Sequence, residues 1–326
     1  MRVAVIGLAG VGKKHVQVFS EIADLACVCD LNEQVLKETV TKYNVKGYGD
    51  AKEMFHVEHL DAVSLCTPPK SHLPLTKMAA EKGASVLAEK PMANSVANCR
   101  KMIDVCKDAG VTLMVAHKKR FVPTVARLKE LTEGDLGPIK FLLHRYPHPG
   151  MSQKDWFWSA EDGGGPILEN AVHAADTIRF LCGDVERVYA EGSTAFAEHR
   201  APVINCAVYT VRFKSGAIAT VGAGMVSCPG FSFEDFYAAT DKGVAEVAGP
   251  FDNANTLRFT FRDKPKDVKE EKVEGADPFL LEMRHFLDCI EQKKEPLTSG
   301  YEGMKAVELC LAVKRSAAEG KPVELA

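Results

Sequence analysis

The chain of 326 residues holds only two tryptophans, no C-x-x-C pair and no excess of charge of either sign. It also has no apolar run approaching the roughly 18 residues that a bilayer-spanning helix needs, so a membrane partner is not expected. The ten cysteines stand singly in apolar stretches, Cys27 and Cys29 being the nearest two, with no ladder of cysteine and histidine. They read as reduced core residues of a cytoplasmic protein rather than a disulfide frame or a zinc site, and no metal is expected. A formal net charge of −3 gives none of the basic footprint of a nucleic-acid binder. Internal repeats and low-complexity segments are absent too. What is present is ordinary for a globular chain, 46% hydrophobic and 26% charged. At about 100–200 residues per domain, the length points to two domains.

Met1 and Arg2 precede an apolar run over residues 3–12 that superficially resembles a short signal peptide. Lys13-Lys14-His15 follows at once, without a small-x-small cleavage site, so a buried strand feeding a glycine turn is the expectation. Further short apolar runs at 25–29, 62–66, 85–88 and 112–116 alternate with amphipathic stretches. Such alternation predicts buried parallel strands joined by crossover helices, hence a doubly wound sheet. Ser71 and Ser95 open two of the helices, and Gly110 stops the second.

Beyond residue 118 the texture changes. A helix over 123–132 precedes a strand over 139–145, a loop over 146–158 rich in Pro, Gly and aromatics, and a helix from about 168 to 181. Strand-like runs follow at 185–191, 206–213, 217–225, 235–240 and 257–262, with turn residues such as Lys214-Ser215-Gly216 between them, which predicts an antiparallel meander. An open sheet of that size needs helices on one face and a ligand or a second subunit on the other. Asp277-Pro278 starts a helix with an apolar stripe of Phe279, Met283, Phe286 and Ile290. Ser299 and Glu302 form a capping box for the last helix, which ends at Gly320 and Pro322. The charge run over 264–272 is expected to be a solvated hairpin.

The first strand leads into Gly7-Leu8-Ala9-Gly10-Val11-Gly12, close to the dinucleotide fingerprint G-x-G-x-x-G with Ala9 at the second glycine. The turn opens a helix whose N-terminus can hold phosphate. Asp30 ends the second strand, 18 residues after Gly12, where an acidic residue meets the ribose hydroxyls. A carboxylate there repels a 2′-phosphate, which favours NAD over NADP. Cys66-Thr67-Pro68-Pro69-Lys70-Ser71-His72 follows one strand and Glu89-Lys90-Pro91 another, while Gly163-Gly164-Gly165 and the segment from Glu169 to Asp176 come later.

These motifs, with His15 three residues after Gly12, resemble the Gfo/Idh/MocA oxidoreductases, the glucose–fructose oxidoreductase and inositol dehydrogenase type. The resemblance covers essentially the whole chain. It implies an N-terminal Rossmann domain over 1–118, and a domain over 119–326 that binds substrate and oligomerises through an open, mainly antiparallel sheet covered on one face by helices, an α/β plus α+β architecture. It implies an NAD-dependent dehydrogenase that passes a hydride between nicotinamide and a secondary hydroxyl of a sugar, polyol or sugar derivative, as a homodimer or homotetramer. Two alternatives remain at this point, an NAD-dependent glycoside hydrolase of the same family and a cofactor-binding sensor without turnover.

The resemblance also distributes roles. Lys90 lies at the nicotinamide edge and touches substrate, where an ammonium stabilises a developing alkoxide. His173 is the acid/base, and Glu169 stands where the family usually has Asp. On a continuous helix Glu169 and His173, four apart, share a face. Gly7, Ala9, Gly10, Val11, Gly12, Asp30, Thr67, Pro68, His72 and Glu89 are assigned to the cofactor, although His72 also reads as a helix cap and Glu89 as a partner for Lys90. Lys118, Lys119 and Arg120 occupy a segment bordering the substrate, of which Lys118 and Arg120 are taken as binding residues together with Trp158. Arg145, His148 and Trp156 lie nearby, where aromatics either stack on sugar faces or hold a dimer contact. Asp176 is expected to be structural, and the Lys90–Pro91 bond to be cis.

Overall fold

The alternation in the first third becomes β1 (Arg2–Ile6), α1 (Gly12–Ile22), β2 (Asp24–Cys29), α2 (Glu33–Tyr43), β3 (Lys46–Tyr48), α3 (Ala51–Val57), β4 (Ala62–Leu65), α4 (His72–Glu81), β5 (Ser85–Ala88), α5 (Val96–Ala109) and β6 (Leu113–Val115). A computed structural model describes residues 1–149, 152, 154–159, 162–200, 202–228, 230–231, 234–249 and 255–325. The six strands pair in parallel in the order β3-β2-β1-β4-β5-β6. Every residue of β4 and β5 is buried, which is why these strands read as unbroken apolar runs. The strand order reverses between β1 and β4, and open α/β sheets bind ligands beyond the carboxyl ends of such strands. Ser95 caps α5 by accepting the Asn98 N–H, and Gly110 ends it at φ 68°.

The remaining elements are α6 (Pro123–Glu133), β7 (Ile139–Pro149), α7 (Asp155–Trp158), α8 (Gly165–Glu169), α9 (Val172–Cys182), β8 (Val185–Ser193), β9 (Cys206–Phe213), β10 (Ile218–Ser227), β11 (Glu234–Thr240), β12 (Gly243–Gly249), β13 (Thr256–Phe261), β14 (Lys269–Lys272), α10 (Pro278–Gln292), α11 (Gly300–Glu319) and β15 (Val323–Glu324). Among the described residues, nine strands form the second sheet in the order β14-β13-β12-β11-β7-β10-β9-β8-β15. The meander is interrupted. The long β7 lies in its middle, antiparallel to β11 and parallel to β10. Burial alternates along β9 and β11, so the sheet turns one face inward and one outward. Helices α6, α8 and α9 pack on the inner face.

Several local expectations are corrected. The strand predicted to stop at 145 runs on to Pro149, and Asp155–Trp158 is helical rather than loop. Residues 150, 151 and 153 of that predicted loop lie outside the described residues. The helix predicted over 168–181 is broken, α8 ending at Glu169 and α9 starting at Val172 with Asn170 and Ala171 between them. Strands β3, β12 and β15 were not anticipated, and part of the charged run pairs as β14 with β13.

The chain divides into two compact units, Met1–His117 with Phe279–Met304, and Lys118–Pro278 with Lys305–Ala326. The sequence places everything after 118 in one domain, whereas most of α10 and the start of α11 return to the first unit. There the Val115 N–H donates to the Thr298 carbonyl at 2.8 Å, and Phe279 meets the His15 ring edge-on.

Candidate active site

In the first unit the glycine turn is fixed by close backbone approach. Gly7 sits at φ +87°, and a Cβ there would lie 2.6 Å from the Cys66 carbonyl oxygen; a Cβ on Gly12 would lie 2.0 Å from the Gly7 oxygen. Any side chain at either position is excluded. Ala9 and Gly10 are exposed and Val11 half-buried, so the turn is open to solvent just ahead of the α1 N-terminus. A methyl at position 9 projects from this open turn. The Leu8 N–H donates to Asp30 Oδ2 at 2.7 Å and the Asn32 N–H to Oδ1 at 2.8 Å. Each oxygen keeps a further lone pair for a hydroxyl. This cradle fits a dinucleotide: a bare backbone, a helix N-terminus for pyrophosphate and a carboxylate for the ribose.

Beyond β4, Ser71 Oγ donates to Thr67 Oγ1 at 2.7 Å, with Thr67 half-buried and Pro68 exposed. His72 is fully buried, one ring nitrogen 2.8 Å from the Thr67 carbonyl and the other 3.1 Å from that of Met92. Burial pulls its pKa down while the two carbonyls oppose the fall. His72 therefore ties the Thr67 and Met92 backbones together. Lys90 is half-buried, and the bond between it and Pro91 is cis. Its amide N–H donates to Glu89 Oε2 at 3.1 Å. The other oxygen of Glu89 lies 3.0 Å from His15 Nε2, whose Nδ1 is 2.7 Å from Ser64 Oγ. Glu89 thus partners buried groups of its own unit.

In the second unit His173 is the second residue of α9, 7% exposed, its ring 6.3 Å from that of Tyr146. Glu169 ends α8 and is half-buried. The continuous helix that would put the two on one face is interrupted at Asn170–Ala171. The three glycines are packed tightly: a Cβ on Gly165 would lie 2.2 Å from Val203, and Lys314 donates to the Gly164 carbonyl at 2.8 Å.

Arg120 and Trp158, both expected to bind substrate, are buried. Arg120 is buried, its Nε and Nη2 both donating to Asp176, at 2.9 and 2.7 Å, and its guanidinium lies over Phe180. That pair ties the turn at Lys118–Phe121 to α9, which gives Asp176 the structural part expected of it. Trp158 is packed with Phe157, Ala197 and Met225, its indole N–H donating to the Ser152 carbonyl at 2.9 Å, so its ring is not an open stacking platform. Lys118 is half-buried in the same turn as Arg120.

Further buried polar groups gather about Tyr146, the ring neighbour of His173. Lys119 is buried with Nζ 2.5 Å from Glu234 Oε2 and 5.7 Å from the Tyr146 ring centroid. His144 stacks on Phe236 at 4.2 Å between ring centroids, with Nδ1 2.9 Å from the Asp235 carbonyl. Burial lowers the His144 pKa, although Glu234 opposes it. Inward alternation on β7 is the only sequence signal that marks His144 and Tyr146.

Three family models match the chain: the oxidoreductase family NAD-binding Rossmann fold over residues 1–117, the GFO/IDH/MocA C-terminal domain over 125–246, and the oxidoreductase family C-terminal alpha/beta domain over 251–325. Myo-inositol 2-dehydrogenase of Thermotoga maritima is 28% identical over 100% of this chain and 98% of its own. D-apiose dehydrogenase of Paraburkholderia graminis is 27% identical over 99% and 89%. Among solved structures, aldose-aldose oxidoreductase of Caulobacter crescentus superposes with a TM-score of 0.89 at 26% identity, covering 100% of this chain and 99% of that one.

Proposed function

Because the chain belongs to the GFO/IDH/MocA oxidoreductase family, we propose that it oxidises a secondary hydroxyl of a sugar, polyol or sugar derivative, or reduces the matching ketone. The observation that carries this is the cradle at Gly7, Gly12 and Asp30, which excludes side chains where a pyrophosphate approaches. The substrate class rests on relatives named for inositol and apiose. NAD bound there supplies the hydride acceptor. In the direction of oxidation His173 takes the proton of the substrate hydroxyl, Lys90 stabilises the charge that develops on that oxygen, and Glu169 orients a neighbouring hydroxyl.

The reading extends to assembly and compartment. Phe141, Leu143, Tyr189, Val208 and Ile218 are exposed on the outer face of the second sheet, and a second copy of the chain covering them gives a dimer or tetramer. The ten cysteines are free, which fits the reducing cytoplasm. The test of the activity is a panel of sugars, polyols and sugar nucleotides followed by NADH absorbance, with bound cofactor first released and identified. Stoichiometric NADH formation from a polyol or sugar is the expected result. Turnover of a glycoside without net NADH, or none with any compound, counts against it.

A further inference from the structure

A buried carboxylate is costly unless its charge is answered. Glu89 is 6% exposed and stands one residue ahead of Lys90, with its two oxygens answered separately. Oε1 meets His15 Nε2 at 3.0 Å, and Oε2 accepts the Lys90 amide N–H at 3.1 Å. His15 comes from the first turn of α1, fully buried, and its other ring nitrogen lies against Ser64 of β4. One imidazole therefore joins the helix behind the glycine turn, the strand that leads to Thr67 and the carboxylate that abuts Lys90.

We propose that His15 is a positioning residue for the reaction: it holds Glu89 charged and turned onto the Lys90 amide, and so fixes the backbone from which the Lys90 ammonium acts. This rests on the role given to Lys90 above. The charged and titratable groups facing the pair are Cys66, His72 and Lys90. Burial opposes the His15 imidazolium, but Cys66 and Glu89 outweigh it and raise its pKa to about 10. Burial likewise pushes Glu89 up, and the His15 contact with the Lys90 charge reverses the direction to below the usual carboxylate value. The contact thus favours the charged form of both members.

The test compares kcat against pH, with NADH affinity from fluorescence, in wild type, His15→Ala and His15→Ala/Glu89→Gln. Without the imidazole, burial raises the Glu89 pKa. His15→Ala is expected to lose about tenfold or more of kcat near pH 6 and to regain part of it by about pH 8, with NADH affinity within about threefold of wild type. In the double variant this acid limb vanishes, so the two substitutions are non-additive. A pH-independent loss, a parallel loss of NADH binding, or an unchanged kcat would overturn the proposal. Lys90→Ala in the same assay separates the two readings, because wild-type turnover there removes the role of Lys90 itself. The His15–Glu89 coupling is then still read from ring-nitrogen NMR at about pH 8. Two N–H groups on His15 support it, and a neutral ring with one refutes it.

Discussion

A secondary hydroxyl loses its proton as its carbon loses hydride, and an unassisted alkoxide is a poor species at neutral pH. The proton acceptor therefore sets the rate more than it sets cofactor affinity. His173→Ala is expected to lower turnover by about 10²–10⁴. NADH affinity should be unchanged, since Gly7, Gly12 and Asp30 belong to the other unit. Turnover at the wild-type rate in this variant would move the acid/base elsewhere on the chain. Asp30 makes a separate prediction. Its oxygens already accept the Leu8 and Asn32 N–H groups, which hold the carboxylate rigidly beside the ribose position, where a 2′-phosphate meets like charge. Titration with both cofactors should give tighter binding of NAD, and equal or tighter binding of NADP would overturn the assignment.

At the scale of elements, the pair that joins the turn at Lys118–Phe121 to α9 is buried on both sides, with Asp176 fully enclosed. Arg120→Met leaves that carboxylate without its cation, at a cost of about 3–5 kcal/mol. A urea midpoint should report the loss, and Arg120→Met/Asp176→Leu should restore much of it. An unshifted midpoint in the single variant would favour Arg120 as a ligand-binding group. The same elements show what a sequence can and cannot disclose. The glycine turn was legible because its constraint is local: the residues that a Cβ would strike lie at the turn itself or at the end of the neighbouring strand. Strands β4 and β5 were legible because burial on both faces leaves an unbroken apolar run. The break between α8 and α9 was not, since residues 165–182 show helical texture throughout and neither Gly nor Pro stands at Asn170–Ala171 where it falls. Strand β12 was hidden by its glycines and alanines, which carry little β-propensity. Partnerships were the least legible. His15 meets Glu89 across 74 positions and Lys119 meets Glu234 across 115, and no periodicity links residues that far apart. The packing partners of Arg120 and Trp158, Asp176 and Met225, were hidden for the same reason, because tertiary packing supplies them.

At the scale of the whole molecule, the second sheet leaves apolar side chains exposed on its outer face. Its inner face is filled by α6, α8 and α9, while the outer face carries Phe141, Leu143, Tyr189, Val208 and Ile218 at 37 to 59% exposure on four adjoining strands, β7 to β10. Contiguous apolar surface of this kind marks an interaction site, and a two-fold arrangement lets one patch cover its own copy. Thr210 and Thr220 pair across β9 and β10 within it, and the exposed Arg145, Glu191 and Arg212 alternate with the apolar residues along β7, β8 and β9. Light scattering at about micromolar concentration should therefore give a dimer or tetramer mass. Leu143→Glu combined with Val208→Glu brings carboxylates from both copies into an apolar contact, which costs more than the contact gains. That variant should run as a monomer with an unchanged circular dichroism spectrum. A wild-type monomer would mean that the outer face stays wet in solution. A double variant still assembled as wild type would place the interface on another surface.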